Sequence, residues 1–510
     1  MLRTAAGLAV ALALTSVAAA QEPGDIDGGA DNPAVARRVP GDETADPFAG
    51  FIESFIKHPF RIGGQGTFDE NTTFGFMMNS LTTTGYLRAR YESSEIGFVP
   101  SIFGPTPDVA RGVPGPAGHG IQFFGDDAQD WVAIKALLGL NFTLTPDITI
   151  FGEIIAMDVL GQDTRFNRLP NGIAVVDPQD INPEIHLYQG YASWANFLAV
   201  KGVTIKGGRT ELCYGKGWLV SNQPFYGGLS WDGALISVDT GGYSVDFFGG
   251  KLASFYAPTG PTRPQLYGVY STYTLDANLE RGKETNLDLY VLYNTDDMNS
   301  SDLGIKTDFA RERRATFGTK LDGWFLPTID YSLDAAYQYG RTATLSTQRA
   351  TVSAYALQGE VGNTWDTLMW TPRASLGAAY ATGDSNPAGS GSSLFNPIYR
   401  DLHGWNGLSD AFKFTNLVDY YIKGTIRPIT LVDFGVQGHV FKLARDRVLG
   451  LPGSSDQLGK ELDVYAEGNL TRNFSFSAAY VLLHQGQRFR EATGTREHNT
   501  RWYVNLVYVF

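Results

Sequence analysis

RWYVNLVYVF, residues 501–510, places Trp502, Val504, Leu506, Tyr508 and Phe510 on one parity. The other parity carries Arg501, Tyr503 and Asn505 before turning apolar at Val507 and Val509. Alternate side chains of a β-strand point to opposite faces, so this stretch is a strand with one continuous apolar face. Two environments suit it: the lipid-facing wall of a membrane barrel, or the closing edge of a soluble sheet. A last strand ending on Phe510 is the kind of segment by which a barrel closes and is read by the outer-membrane assembly machinery, which is the expected partner of this strand.

The segments upstream repeat the pattern. Eighteen strand-like stretches can be placed between 84–92 and 500–510. Val132, Ile134, Ala136, Leu138 and Leu140 oppose Ala133, Lys135 and Asn141, and Tyr331, Leu333, Ala335, Tyr337 and Tyr339 oppose Asp330, Asp334 and Gln338. The segments have about the 9–11 residues that a tilted membrane strand requires, or slightly more. The links sort by length. Long ones (93–130, 158–184, 213–231, 295–313, 383–414) alternate with short ones such as Thr145-Pro146, Thr240-Gly241-Gly242, Leu326-Pro327 and Pro428-Ile429. Outer-membrane barrels alternate short periplasmic turns with long extracellular loops, whereas a sandwich or propeller has no reason to. The expected fold is all-β: a single antiparallel transmembrane β-barrel of about eighteen strands, with sixteen as the alternative count, spanning residues 84–510.

The N-terminal region agrees with export. Residues 1–20 read as a cleaved signal peptide, with Arg3, an apolar run from Leu8 to Leu14, and Ala18-Ala19-Ala20 at the cleavage site. Residues 21–47 read as an acidic, disordered linker. Residues 48–83 read as a short amphipathic helix and lead-in, from the helical spacing of Phe48, Phe51, Ile52, Phe55 and Ile56. No later stretch has the roughly 18 apolar residues of a spanning helix. The one cysteine, Cys213, allows no internal disulfide, and the net charge of −13 argues against a nucleic-acid partner. The mean hydropathy of −0.15 is soluble-like, as it is for barrels, whose lipid and lumen faces average out.

With the apolar parity in lipid, the opposite parity lines a lumen. It supplies cations at Arg88, Arg90, Lys135, Lys320, Arg373 and Lys423, and an acidic wall at Glu153, Asp288, Asp334, Asp419, Asp433, Glu461 and Asp463. Taken singly, each reads as an ordinary solvated residue in a salt bridge. As a set they read as a pore lining, with opposed walls setting charge selectivity. Arg209, Arg341 and Arg400 join the expected anion contacts, since guanidinium forks suit carboxylates. Asp232 and Asp384 are expected to anchor turns that hold these arginines. Trp131, Trp194 and Trp502 are expected in the interfacial aromatic girdle.

Several segments then resemble a known family. Ala379–Pro387 (AYATGDSNP), Leu394-Phe395-Asn396-Pro397 and Leu408–Asp419 (LSDAFKFTNLVD) are similar to the signature of the alginate export family of outer-membrane porins. Gly208–Leu212 with Tyr214-Gly215, Ser230–Ala234, Lys320–Gly323, Leu333–Gly340 and Gly459–Asp463 resemble its weaker motifs. The resemblance implies an eighteen-stranded barrel with an arginine-rich, anion-selective pore passing polyuronate or other small solutes. This chain departs from that pattern in its mixed lumen parity, in Cys213 after the GRTEL motif, and in Arg209, which shares the parity of Val203 and Ile205 and so either lies past a bulge at Gly207-Gly208 or sits at the rim.

The expected function is therefore an outer-membrane channel for hydrophilic, anionic or saccharide solutes. The alternatives are an outer-membrane barrel enzyme of the lipase or esterase kind using His439, a plugged receptor barrel, and a soluble exported β protein. The sequence has no Gly-x-Ser-x-Gly elbow and no zinc-spaced Cys/His cluster. No cofactor is expected; residues 294–302 (NTDDMNSSD) offer oxygens for calcium without the EF-hand spacing.

Overall fold

The period-2 stretches pair into one ring. A computed structural model describes residues 60–61, 80–98, 121–123, 129–160, 167–168, 174–175, 185–253, 264–275, 284–296, 312–343, 349–384, 390–401, 403–446, 455–488, 490 and 498–510. The barrel strands are β1 (Leu81–Ser94), β2 (Gln129–Thr145), β3 (Ile148–Leu160), β4 (Ile185–Trp194), β5 (Val203–Thr210) and β6 (Trp231–Asp239). They continue with β7 (Tyr243–Leu252), β8 (Gln265–Thr274), β9 (Asn286–Asp296), β10 (Glu312–Leu326), β11 (Ile329–Ala343) and β12 (Arg349–Thr364). The ring ends with β13 (Arg373–Ala381), β14 (Leu417–Ile429), β15 (Val432–Leu443), β16 (Gln457–Asn469), β17 (Phe474–Gln485) and β18 (His498–Val509). Each pairs antiparallel with its sequence neighbours, and β18 returns to β1 from Tyr86↔Val509 to Ser94↔Arg501. The count is eighteen, and closure leaves no open edge in the ring.

The parity of the final strand holds. Trp502 and Leu506 face outward and are exposed, while Arg501, Tyr503, Asn505, Val507 and Val509 are buried inward. Leu138, Leu140, Ile154, Phe247, Leu333, Leu376, Ile422 and Val464 continue the outer apolar surface. Of the three expected girdle tryptophans, Trp194 and Trp502 lie on that surface. Trp131, 4% exposed, shares the parity of Lys135 and points inward, because β2 begins at Gln129 and carries it on the lumen face.

Glycine serves the wall by making room for rings. A Cβ on Gly318 of β10 would fall 2.1 Å from the ring of Tyr290 on β9, and one on Gly435 of β15 would fall 2.0 Å from Tyr465 on β16. Each ring lies flat across its neighbouring strand, where only glycine fits.

The short links follow even-numbered strands as expected. The expected signal peptide (1–20) and linker (21–47) lie outside the described residues, as does most of 48–83. There Phe60–Arg61 pairs with Thr83 and Thr82 at the start of β1.

Candidate functional site

Two of the long links do not stay outside the ring. Residues 211–230, between β5 and β6, and the described residues between β13 and β14 (382–384, 390–401 and 403–416) turn into the lumen and dock on each other. Ser221 N–H donates to the Tyr399 carbonyl at 2.9 Å, Tyr399 N–H to Leu219 at 3.0 Å, and Asp401 N–H to Gly217 at 2.8 Å. Trp218, Leu219, Val220, Phe395, Trp405 and Phe414 give the lumen an apolar core of its own. Link length predicts a loop but carries no information on which way it folds, so the sequence left open whether any long link enters the lumen.

The two charged walls clamp these loops by their backbones. On the basic side, Arg88 Nη1 donates to the carbonyls of Pro224 (2.9 Å) and Phe225 (2.7 Å), and Arg90 Nη1 donates to Phe225 at 2.6 Å. On the acidic side, Glu461 accepts from Ser409 N–H (2.9 Å) and Ser409 Oγ (2.5 Å), and Asp463 accepts from Leu408 N–H at 3.1 Å. Cations thus hold carbonyls and carboxylates hold amides. Charge-assisted bonds of this kind, out of water, are stronger than neutral ones.

The remaining expected lumen residues fall into smaller groups. Arg373 bonds Asp330 at 2.6 Å and Glu360 at 3.0 Å, and Lys423 reaches Glu360 at 3.5 Å. Asp288 and Asp334 lie opposite Lys320 on neighbouring strands, and Asp288 accepts from the Tyr270 hydroxyl at 2.6 Å. Glu153 accepts from Gln189 at 3.0 Å. Asp419 takes His439 Nδ1 at 3.0 Å. Asp433 pairs with Arg427 at the open short-turn mouth. Arg400 lies in the second loop, over the ring of Phe414 at 4.0 Å, and donates to Gln358 at 2.9 Å. Asp384 is half-buried just past β13.

Two expected anion contacts do not reach the lumen. Arg209 runs in unbroken register opposite Gly190 and Asp232, on the parity of Ala192 and Trp194, so it faces outward near the end of β5. There it pairs with Asp232 at 2.6 Å. Arg341 follows Tyr337 and Tyr339 on the outer face of β11 and is exposed. Charge on the outer face is tolerated at a strand end, where the hydrocarbon gives way to water.

Three residues central to the site went unassigned in the sequence. Arg314 shares the inward parity of Lys320 and donates to Gln338 at 2.7 Å and to the Leu394 carbonyl at 3.0 Å. His403 and Asp410, on the second loop, meet at 2.8 Å. The parity of Arg314 was readable; the pairing of two loop residues was not. Burial alone would raise the Asp410 carboxyl, but His403 and Arg501 outweigh it and hold the group below its ordinary value. Five of the ten left-handed non-glycine residues described lie in these loops, Lys216, Gln223, Ile398, Asp410 and Asn416, with φ between 50° and 59°; the region is accepted by Asp and Asn and costs most for the β-branched Ile398. Of the acidic stretch 294–302, only residues 294–296 are described, as the end of β9.

Comparison with known proteins agrees with this architecture. The family model described as alginate export matches residues 147–503. Among solved structures, OccAB2 of Acinetobacter baumannii aligns with a TM-score of 0.53 at 11% identity, over 88% of this chain and 99% of that one. OccK9 (OpdG) of Pseudomonas aeruginosa aligns at 0.51 and 12% identity, over 84% and 98%. OccAB3 of Acinetobacter baumannii aligns at 0.51 and 11% identity, over 84% and 99%. No curated protein sequence matches the chain.

Proposed function

The chain belongs to the alginate export family, as an outer-membrane channel for hydrophilic solutes, and on that premise we propose that its preferred solutes are anionic, with uronate-type carboxylates foremost. The supporting observation is Lys135. Its side chain is 3% exposed, and the carboxylates of Glu211 and Glu153 act on its ammonium through space, with no salt bridge to it among those of the described residues. The ammonium lies 5.9 Å from the centroid of the Tyr86 ring and 5.8 Å from that of Tyr188, beside Arg88 on the neighbouring strand. A buried ammonium with no counter-charge bonded to it is costly unless something supplies one, and a passing carboxylate does. The arginines contribute differently. Arg88, Arg90, Arg314, Arg373, Arg400 and Arg501 are all engaged by protein acceptors, so they shape the passage more than they offer free forks to solute.

We read the chain as a channel and not a hydrolase. His439 is bonded to Asp419, but the Ser409 hydroxyl donates to Glu461 and is no nucleophile for that imidazole. Export by a leader at residues 1–20 and assembly through the final strand belong to the same reading.

Liposome swelling with isosmotic glucuronate and glucose tests it. Glucuronate should enter faster than glucose through the wild-type protein, and Lys135→Gln should remove most of that preference. Faster glucose entry, or an unchanged ratio in the variant, would overturn the anionic assignment.

A further inference from the structure

Arg313 and Arg341 stand directly opposite each other on β10 and β11, and both face outward. Both are exposed, and no described residue bonds either guanidinium. Like charges directly across a strand pair destabilise it. Nothing on the same face relieves them. The odd-numbered positions of 287–295, 313–325, 329–341 and 351–363 carry the outward side of β9 to β12, and they hold no acid; the two arginines are their only charges. Arg209 makes the contrast, since it faces outward at the same end of β5 but has Asp232 at 2.6 Å as its counter-ion. We infer that Arg313 and Arg341 form a phosphate-binding site on the outer wall, which takes the headgroup of a phosphorylated glycolipid from the outer leaflet of the membrane.

The surroundings of the pair favour a lipid. Level with the arginines, Thr295 lies opposite Arg313 on β9 and Thr351 lies opposite Arg341 on β12. Two hydroxyls thus border two guanidiniums in one row over four strands, roughly 14 Å wide at the usual strand spacing. Guanidinium forks match phosphate oxygens two at a time. The next outward row toward the membrane sets Tyr293, Ala315 and Tyr339 side by side on β9, β10 and β11. The tyrosines are 38% and 57% exposed, and the small alanine between them leaves a trough that runs down to Phe317, itself 49% exposed. Tyrosines at this level mark the membrane interface, and the long links beyond them lie on the extracellular side. The row therefore stands at the height of the outer-leaflet headgroups, with apolar wall directly beneath it. A lipid fills both parts at once: its phosphates pair with the arginines, and its apolar body lies along the trough. A free anion would leave the trough unused. The site is outside the lumen and stands whichever solute the channel passes.

The test uses the full chain, purified in detergent and freed of lipid, with bis-phosphorylated lipid A as the titrant and native mass spectrometry as the readout. Retained heat-modifiability checks the folding of each variant. Arg341→Gln should bind lipid A several-fold more weakly than wild type, and Arg313→Gln combined with Arg341→Gln about tenfold more weakly or worse. Arg209→Gln also removes one outward charge at that end, and it should bind as wild type does. Lipid A stripped of its phosphates should bind wild type as weakly as intact lipid A binds the double variant. Undiminished affinity in the double variant overturns the inference, and so does an equal loss in Arg209→Gln, which would reduce the effect to general charge. Inorganic phosphate that displaces lipid A at matched concentration would overturn it as well, because the row would then be a site for a free anion.

Discussion

Arg209 and Arg501 both lie toward the long-link ends of their strands, and environment gives them unequal weight. The side chains of Arg209 and Asp232 are 17% and 32% exposed on the outer face, where such a pair is worth ~0–1 kcal/mol. Arg501 is 2% exposed and joins Glu92 to Asp410 inside the lumen. Removing one partner of a buried pair leaves an uncompensated charge and costs ~3–5 kcal/mol. Urea unfolding of the refolded barrel should separate Arg209→Ala from Arg501→Ala accordingly, and an equal loss would contradict the placement of one of them. Much of this was legible. Arg501 stands on the inward parity of the closing stretch, and Arg341 follows Tyr337 and Tyr339 on the outward one. What parity could not give is partnership, because Glu92 and Asp410 are more than 90 residues from Arg501 by chain or are brought to it by an inward-folding loop.

Along the strands, alternation of apolar and polar residues was enough to place every wall element within a few residues, since lipid on one face and water on the other punish a one-residue slip. The abundance of glycine was visible but its use was not, because a ring lying across a neighbouring strand is a cross-strand fact. It has a direct test. Gly318→Val puts a side chain where Tyr290 already lies and should cost ~1–3 kcal/mol through overpacking. Tyr290→Ala should recover part of the loss in a double-mutant cycle, and strictly additive losses would mean that the ring and the glycine are not in contact. The links were half legible. Their alternation in length gave the two ends of the barrel, but residues 211–230 and 382–416 show no compositional mark of turning inward. Their Trp, Phe and Leu residues read equally well as an exposed loop's binding surface.

At the scale of the molecule, the opposed charges seen in the sequence as a selectivity device are largely spent inside the protein. Arg88 and Arg90 hold carbonyls of the first loop, and Glu461 and Asp463 hold amides of the second. The barrel wall thus holds two loops inside itself, and these meet each other through main-chain bonds. Selectivity then falls to lumen charges not spent on holding the loops, with Lys135 foremost among the described residues. The most direct measurement is the reversal potential of the refolded full-length protein in a planar bilayer under a salt gradient. The account predicts a reversal potential of the sign set by anions. A potential of the opposite sign would mean that the carboxylates of the lumen govern passage, contradicting the anionic assignment.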